Sequence, residues 1–352
     1  MTMPPIRVLI VDDSAFARKV LREVLSSDAE IEVVGIARDG LDALEKIGEL
    51  APDVMTLDLR MPELDGVGVL RALQGKPGPR CVVVSTSDEQ SDLAIAALQV
   101  GAIELVHKPT ALATEQLFEL STEVIEKVKI AARARRPAVG VLQPAKKAEV
   151  ATAAPVVAEA PRVQLVVLGA STGGPQAVTR LLSELPADFP APLAIVLHMP
   201  VGYTAALSKR LNGLCALDVI EATDGATLRP GMVVIARAGM HLKIAGTPGD
   251  ARVRLDAAPL DTPHRPAVDV LFESAALTHG EHVLGVVLTG MGNDGLLGSR
   301  AVREAGGRII TEAESSCVVY GMPRAVAEAG LSDKSVPLER VTGTLSQMLR
   351  RV

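Results

Sequence analysis

Short apolar runs alternate with helix-like segments through the first 125 residues of the chain. The run Arg7–Val11, for example, reads R-V-L-I-V and is typical of a buried strand. Predicted strands cover residues 7–11, 31–37, 53–57, 80–85 and 103–106, and predicted helices cover residues 17–25, 40–50, 91–100 and 114–130. Strands and helices that alternate in this way predict an α/β fold with a doubly wound parallel sheet.

A second alternating region follows a segment of different composition. Alanine, proline and scattered charges dominate from about residue 131 to 162, which predicts a linker with some helix at its start. We therefore place one domain at 1–125, the linker at 126–162 and a second α/β domain at 163–352. Predicted strands there cover 164–168, 193–197, 232–235, 283–288 and 308–311, predicted helices cover 175–184, 203–211, 267–278, 295–305 and 322–329, and 239–257 has the pattern of a hairpin.

Composition excludes several classes of protein. Aromatic residues are only 2% of the chain and the net charge is −6, so a basic nucleic-acid surface is not expected. The three cysteines are scattered, which is typical of a reducing cytoplasm. The N-terminal run has neither the basic start nor the cleavage site of a signal peptide, and no run is long enough to insert in a membrane. We expect a cytoplasmic monomer.

Polar residues with the chemistry of a phosphoryl-transfer site follow four strands of the first domain. Asp12 and Asp13 follow the first strand, Asp58 the third, Thr86 the fourth and Lys108 the fifth. The carboxyl ends of parallel strands meet at one edge of a sheet, where ligands bind. Three carboxylates there would bind a hard cation such as Mg²⁺, and the lysine would offset charge on a transferring phosphoryl group.

This pattern resembles the response-regulator receiver domain, a flavodoxin-like fold, over residues 5–125. The resemblance implies that Asp58 accepts a phosphoryl group and that Asp12, Asp13 and Asp58 hold Mg²⁺. It also implies that Thr86 senses the phosphoryl group and that Lys108 pairs with it. The resemblance also implies a histidine kinase as the phosphodonor.

Ser171 lies in a glycine-rich turn at the start of the second domain, in the run G-A-S-T-G-G-P after a predicted strand. An isolated serine there is most simply a helix N-cap. A phosphate-binding loop requires a Lys-Ser or Lys-Thr pair that is absent, and the dinucleotide fingerprint does not fit. The motif G-x-S-x-G is matched, so the serine is also a candidate nucleophile.

A serine nucleophile requires a base and a group that orients the base. His198 ends the next predicted strand, and Asp294 follows a later one, so both can converge on Ser171 at the carboxyl edge. His264 opens a predicted helix and remains a rival base. Asp294 taken alone could equally be a turn residue in a glycine-rich loop.

The second domain resembles the catalytic domain of the chemotaxis protein-glutamate methylesterases over residues 163–345. The resemblance is carried by S-T-G-G-P, H-M-P, H-R-P-A-V-D-V-L-F, L-T-G-M-G-N-D-G and C-V-V-Y-G-M-P. It implies that Ser171, His198 and Asp294 are catalytic, that Thr172 and Met291 line the site, and that the esterase step needs no cofactor.

These resemblances imply a phosphorylation-activated esterase that removes methyl groups from the glutamates of methyl-accepting chemoreceptors and deamidates receptor glutamines. The unphosphorylated receiver would block the esterase site until Asp58 is phosphorylated. Two alternatives stay open: a receiver-controlled adaptor without catalysis, and a related hydrolase that serves a pathway other than chemotaxis.

Overall fold

Valine-, leucine- and isoleucine-rich strands form a parallel sheet in each half of the protein. The computed structural model describes residues 4–85, 91–108, 114–136 and 163–350. It divides the chain into two units, Met1–Gly140 and Val141–Val352. The predicted α/β class with doubly wound parallel sheets is confirmed in both.

The N-terminal unit contains five parallel strands in the part of the chain that the structure describes, in the order β2-β1-β3-β4-β5. Its elements are β1 Ile6–Val11, α1 Ala15–Ser26, β2 Ile31–Ala37, α2 Gly40–Leu50, β3 Val54–Leu57, α3 Gly66–Leu73, β4 Arg80–Ser85, α4 Ser91–Gln99, β5 Glu104–His107 and α5 Thr114–Arg133. The chain reverses its direction of winding between β1 and β3, so the ends of these strands form the expected ligand-binding crevice.

Two features of this unit differ from the sequence-based expectation. Helix α3 was not placed, because its glycines lower helix propensity. Gly66 serves close packing instead, since a Cβ atom there would lie 2.4 Å from the Asp58 carbonyl oxygen. Helix α5 ends at Arg133, three residues beyond the predicted helix 114–130, so the start of the predicted linker is helical. The rest of the predicted linker, 137–162, lies outside the described residues.

In the C-terminal unit, the described residues form a seven-stranded parallel sheet and a two-stranded antiparallel hairpin. The elements are β6 Leu165–Ala170, α6 Gly174–Glu184, β7 Leu193–Leu197, α7 Thr204–Leu214, β8 Asp218–Glu221, β9 Met232–Ile235, β10 His241–Thr247, β11 Asp250–Asp256, α8 Val268–His279, β12 Val283–Val287, α9 Leu296–Glu304, β13 Arg308–Glu312, α10 Met322–Glu328, β14 Lys334–Val336 and α11 Leu338–Arg350. The sheet order is β14-β13-β12-β6-β7-β9-β8.

The winding of this sheet reverses between β6 and β12, which are neighbours. The loops after these two strands therefore face the same crevice. Strands β8 and β14 and helix α11 are additions to the predicted elements. Both strands are short and lie at the sheet edges, where polar residues such as those in K-S-V weaken the strand pattern.

Strand β6 lies so close to α8 that Gly169 leaves no space for a side chain. A Cβ atom at Gly169 would be 2.3 Å from Val268 Cγ1. We expect Gly169→Ala to lower the free energy of unfolding by about 1–3 kcal/mol through overpacking. The double variant Gly169→Ala/Val268→Ala should recover part of that loss, measured by urea unfolding of the full chain.

Gly213 provides the matched control, because it lies within α7 and a Cβ atom there would have nothing within 4 Å. Gly213→Ala should leave stability unchanged or raise it by up to about 1 kcal/mol. Equal effects of the two glycine substitutions would contradict the packing argument.

Candidate functional site

Ser171 is the first residue after β6 and is held by its backbone. Its N–H donates to the Thr289 carbonyl at 3.0 Å, and its carbonyl accepts from the Gly174 N–H at 2.6 Å. The N-cap of α6 is Gly173, with no side-chain capping bond, so the helix-cap interpretation of Ser171 is wrong. Within the described residues, the Ser171 hydroxyl makes no hydrogen bond and is available for chemistry.

His198 is placed beside Ser171 by the register of β6 and β7. The register pairs Ala170 with Leu197, and the His198 N–H donates to the Ala170 carbonyl at 3.2 Å. Ser171 and His198 are therefore the next residues of two adjacent strands, at the carboxyl edge of the sheet. The two predicted site residues come together without any contortion of the chain.

Asp294 reaches the same edge from the loop after β12. Its Oδ2 lies 2.8 Å from His198 Nε2, and the two side chains are 12% and 8% exposed. The first residues of α8 also donate to this carboxylate, the Val268 N–H to Oδ2 at 2.7 Å and the Asp269 N–H to Oδ1 at 2.9 Å. Burial alone would raise the pKa of Asp294, but these hydrogen bonds and His198 hold it below its ordinary value.

The ionised carboxylate fixes the protonation of the His198 ring. An ionised carboxylate only accepts hydrogen bonds, so Nε2 carries the proton that faces Asp294. The other nitrogen, Nδ1, is buried and has no partner in the described part of the chain. Nδ1 therefore keeps its lone pair and is the nitrogen that can accept a proton from a nucleophile.

His264, the rival base, lies against the same ring. The His198 and His264 rings stack with centroids 4.0 Å apart and an interplanar angle of 26°. His264 is exposed, whereas the hydrogen bond to Asp294 is made by His198. The geometry therefore favours His198 as the base.

Thr172 and Met291 lie on the two loops that meet at Ser171. Thr172 is buried, and its carbonyl accepts from the Thr289 hydroxyl at 2.9 Å. Met291 is 49% exposed on the loop that carries Asp294. Between them, Gly290 packs so closely on the serine that a Cβ atom would lie 2.9 Å from Ser171 Cβ.

Two further carboxylates support the site and were missed from the sequence. Glu312, fully buried at the end of β13, accepts from the Thr289 N–H at 2.8 Å and from the Ser316 hydroxyl at 2.8 Å. Burial raises the pKa of Glu312. Asp269, in the first turn of α8, also lies beside Asp294, and burial raises its pKa to about 6. Only the strand-end position of Glu312 could have indicated its role from the sequence.

The predicted carboxylates of the N-terminal unit also converge. Asp12, Asp13 and Asp58 each offer an oxygen, and these oxygens lie within 4.8 Å of one another. Asp12 and Asp58 are buried, while Asp13 is exposed. Burial, together with the charges of Asp12 and Asp13, raises the pKa of Asp58 to about 6 against the opposing effect of Lys108. An oxygen-rich set with unbalanced negative charge fits a hard divalent cation such as Mg²⁺.

Lys108 extends into the same cluster. Its Nζ donates to Asp12 Oδ2 at 2.7 Å and lies 3.9 Å from Asp58 Oδ2. Thr86 lies outside the described residues.

In the part of the chain that the structure describes, no helix combines the length and apolar character required to cross a membrane.

The doubly wound sheets and the two clusters of side chains define the class of protein: a hydrolase domain, with Ser171, His198 and Asp294 together at its sheet edge, follows a domain with a cluster of carboxylates. The chain belongs to the CheB methylesterase family, whose model matches residues 166–345, and it carries a response regulator receiver domain over residues 8–120.

Known proteins resemble the chain over nearly its whole length. A protein-glutamate methylesterase/protein-glutamine glutaminase from Myxococcus xanthus is 63% identical, with 98% of this chain and 99% of the relative covered. A protein of the same name from Symbiobacterium thermophilum is 43% identical, with 97% of each covered. The crystal structure of the Thermotoga maritima CheB methylesterase catalytic domain is 39% identical with a TM-score of 0.51, and the match covers 53% of this chain and 98% of that domain.

Glu312 should respond differently to two substitutions. Glu312→Ala leaves the buried Thr289 N–H without an acceptor and should cost about 1–3 kcal/mol of unfolding free energy. Glu312→Gln keeps an acceptor and removes the carboxyl group, whose pKa is raised by burial in the folded protein. Because burial in the folded protein favours the protonated acid, this residue makes the wild type less stable as pH rises. Glu312→Gln should therefore be more stable than the wild type at pH 8.

That advantage should shrink toward pH 4.5, as measured by urea unfolding at both pH values. Glu328→Gln, an exposed change in α10, is the control and should show no pH-dependent gain. An advantage of Glu312→Gln that is the same at both pH values would contradict the assignment.

Proposed function

We propose that Ser171 is the nucleophile of a protein-glutamate methylesterase, with His198 as its general base and Asp294 as the group that orients the base. The observation that carries the proposal is the 2.8 Å contact between His198 Nε2 and Asp294 Oδ2, made beside Ser171 at the reversal point of the sheet. The names of the M. xanthus and S. thermophilum relatives support the substrate, glutamyl methyl esters, and a second activity on glutamine side chains.

The reaction proceeds through an acyl-enzyme. His198 Nδ1 takes the Ser171 proton while Oγ forms a bond to the ester carbonyl carbon, whose oxygen becomes an oxyanion. The carbon–methoxide bond then breaks, and His198 returns the proton to give methanol. Water, deprotonated by the same nitrogen, then bonds to the acyl carbon. The bond from that carbon to Ser171 Oγ breaks, His198 returns the proton to Oγ, and glutamate is released. A glutamine side chain would follow the same course and release ammonia.

The oxyanion requires hydrogen-bond donors near Ser171. Backbone N–H groups at Thr172 and Met291 are the candidates, because both residues flank the serine on converging loops. Each such donor typically contributes about 3–4 kcal/mol to transition-state stabilisation. The tight packing of Gly290 on Ser171 would hold the two loops at the required distance.

The receiver domain supplies control through Asp58 as phosphoacceptor. Asp12, Asp13 and Asp58 would hold Mg²⁺, which offsets negative charge on the transferring phosphoryl group. Lys108 would pair with the phosphoryl group after leaving Asp12, and Thr86 would contact it. A histidine kinase of the chemotaxis type would be the donor.

The substrates would be methyl-accepting chemoreceptors, with the enzyme acting in adaptation. A cytoplasmic location is supported by Cys81, Cys215 and Cys317, which are buried and form no disulfide among the described residues. The alternatives of a non-catalytic adaptor and of a non-chemotaxis pathway are not favoured, because the named relatives match along nearly the whole chain.

Ser171→Ala should abolish methanol release from methylated receptor membranes, because it removes the hydroxyl that forms the acyl-enzyme. We expect a loss of at least about a thousandfold in kcat. Ser183→Ala is the control, since Ser183 lies on α6 and its hydroxyl only bonds the Arg180 carbonyl. Methanol release by the Ser171 variant at the wild-type rate would remove the serine from its role.

Asp58→Asn should abolish stimulation by a small phosphodonor while basal esterase activity remains. Wild-type methanol release should rise with phosphodonor and Mg²⁺, and fall back when the cation is chelated. Asp92→Asn, an exposed acid on α4, should be stimulated like the wild type. Equal stimulation of Asp58→Asn and wild type would show that phosphorylation acts elsewhere.

A further inference from the structure

The Asp269 and Asp294 carboxylates each accept hydrogen bonds from backbone N–H groups at or next to the other residue. Asp294 accepts hydrogen bonds from the N–H groups of Val268 and Asp269, at the start of α8. Asp269 Oδ1 in turn accepts from the N–H of Gly295 at 2.9 Å and of Gly298 at 2.7 Å, at the start of α9. Each carboxylate thereby caps the helix that begins beside the other.

This arrangement is tightly packed. A Cβ atom at Gly298 would lie 2.5 Å from Phe272 Cβ and 3.0 Å from Asp269 Cα, so α9 approaches α8 at backbone distance. Gly295, the residue after Asp294, has φ +95° and is directly bonded to Asp269. The position of the Asp294 loop is thus tied to the Asp269 carboxylate.

We propose that Asp269 is a positioning residue for the hydrolysis: by binding the N–H groups of Gly295 and Gly298, it fixes the loop that presents Asp294 to His198. The proposal rests on the assigned roles of Ser171, His198 and Asp294. Among the described residues, Asp269 makes no hydrogen bond or ion pair with His198 or Ser171, so its effect reaches the reaction through Asp294.

Removal of the carboxylate would leave two N–H groups at the N-terminus of α9 unpaired. The loop could then shift, and misplacement of a catalytic group by about 1 Å costs up to about a hundredfold in rate. Both hydrogen bonds fall on the same oxygen, Oδ1. An asparagine can supply that oxygen without the negative charge, so the hydrogen bonds and the charge can be separated by experiment.

The test compares Asp269→Ala and Asp269→Asn in the full-length protein at pH 7.5, above the pKa of about 6 that burial gives this acid. Methanol release from methylated receptor membranes gives kcat and KM. We expect Asp269→Ala to lose about tenfold to a hundredfold in kcat with KM within about twofold of wild type. Asp269→Asn should retain kcat within about threefold.

A second readout does not depend on the substrate. The Nε2 proton between His198 and Asp294 should give a downfield proton NMR resonance, assigned by its loss in His198→Gln. It should shift or broaden in Asp269→Ala and persist in Asp269→Asn. If the wild type released no methanol, the proposed function would fail, while this resonance would still decide whether Asp269 positions Asp294.

Asp333→Ala is the matched control. Asp333 accepts the Ile309 N–H at 2.7 Å and pairs with Arg303, at the amino end of β13 and away from the active-site edge. It should lose stability and keep kcat. If Asp269→Ala fails to fold, Asp269→Ser replaces it in the test. The serine side chain is shorter than that of aspartate, so its hydroxyl lies farther from the two N–H groups. The proposal would be overturned if the Ala or Ser variant kept the wild-type kcat and an unchanged resonance. It would also be overturned if Asp269→Asn lost as much kcat as Asp269→Ala.

Discussion

The hydrogen bond between His198 Nε2 and Asp294 is the interaction on which the proposed chemistry of the C-terminal unit depends. It assigns the ring proton to one nitrogen and leaves the other, buried and unpartnered within the described residues, as the proposed base. The carboxylate can stay ionised in a site of low exposure because the start of α8 donates two N–H groups to it. An imidazole held in this way is already oriented before the serine proton is transferred, so the transfer requires no reorientation of the ring.

Both units place their reactive groups by the same topological device. In each doubly wound sheet, the winding reverses between two neighbouring strands, β1 and β3 or β6 and β12. The residues that follow these strands are acids in the N-terminal unit, and a serine and an aspartate in the C-terminal unit. The two units thus have the same kind of crevice. The side chains that line it determine whether phosphoryl or ester chemistry is proposed there.

The sequence predicted the strands that matter for function because buried parallel strands consist of continuous apolar runs. Residues directly after such runs must lie at the sheet edge, which is why Ser171, His198 and the receiver acids could be placed beforehand. Helix α3 could not, because its glycines weaken the local helix signal, although Gly66 is needed for close packing on Asp58. Asp269 and Glu312 could not either, since their partners lie 26 and 23 residues away and only the folded chain brings them together.

The buried acids show why residue type alone does not assign a role. Burial raises the pKa of Asp58, Asp269 and Glu312, yet Asp294, which is also buried, has a lowered pKa. The difference lies in the imidazole: Asp269 and Asp294 each accept two N–H groups, but Asp294 also bonds His198, which lowers its pKa. Asp58 instead faces two other carboxylates and one lysine, an environment whose charge is balanced only when a cation binds. Asp294 is therefore satisfied by the protein itself, which suits the proposed role of orienting a base. Asp58 lies among like charges, which suits the proposed role of a phosphoacceptor that works with a cation.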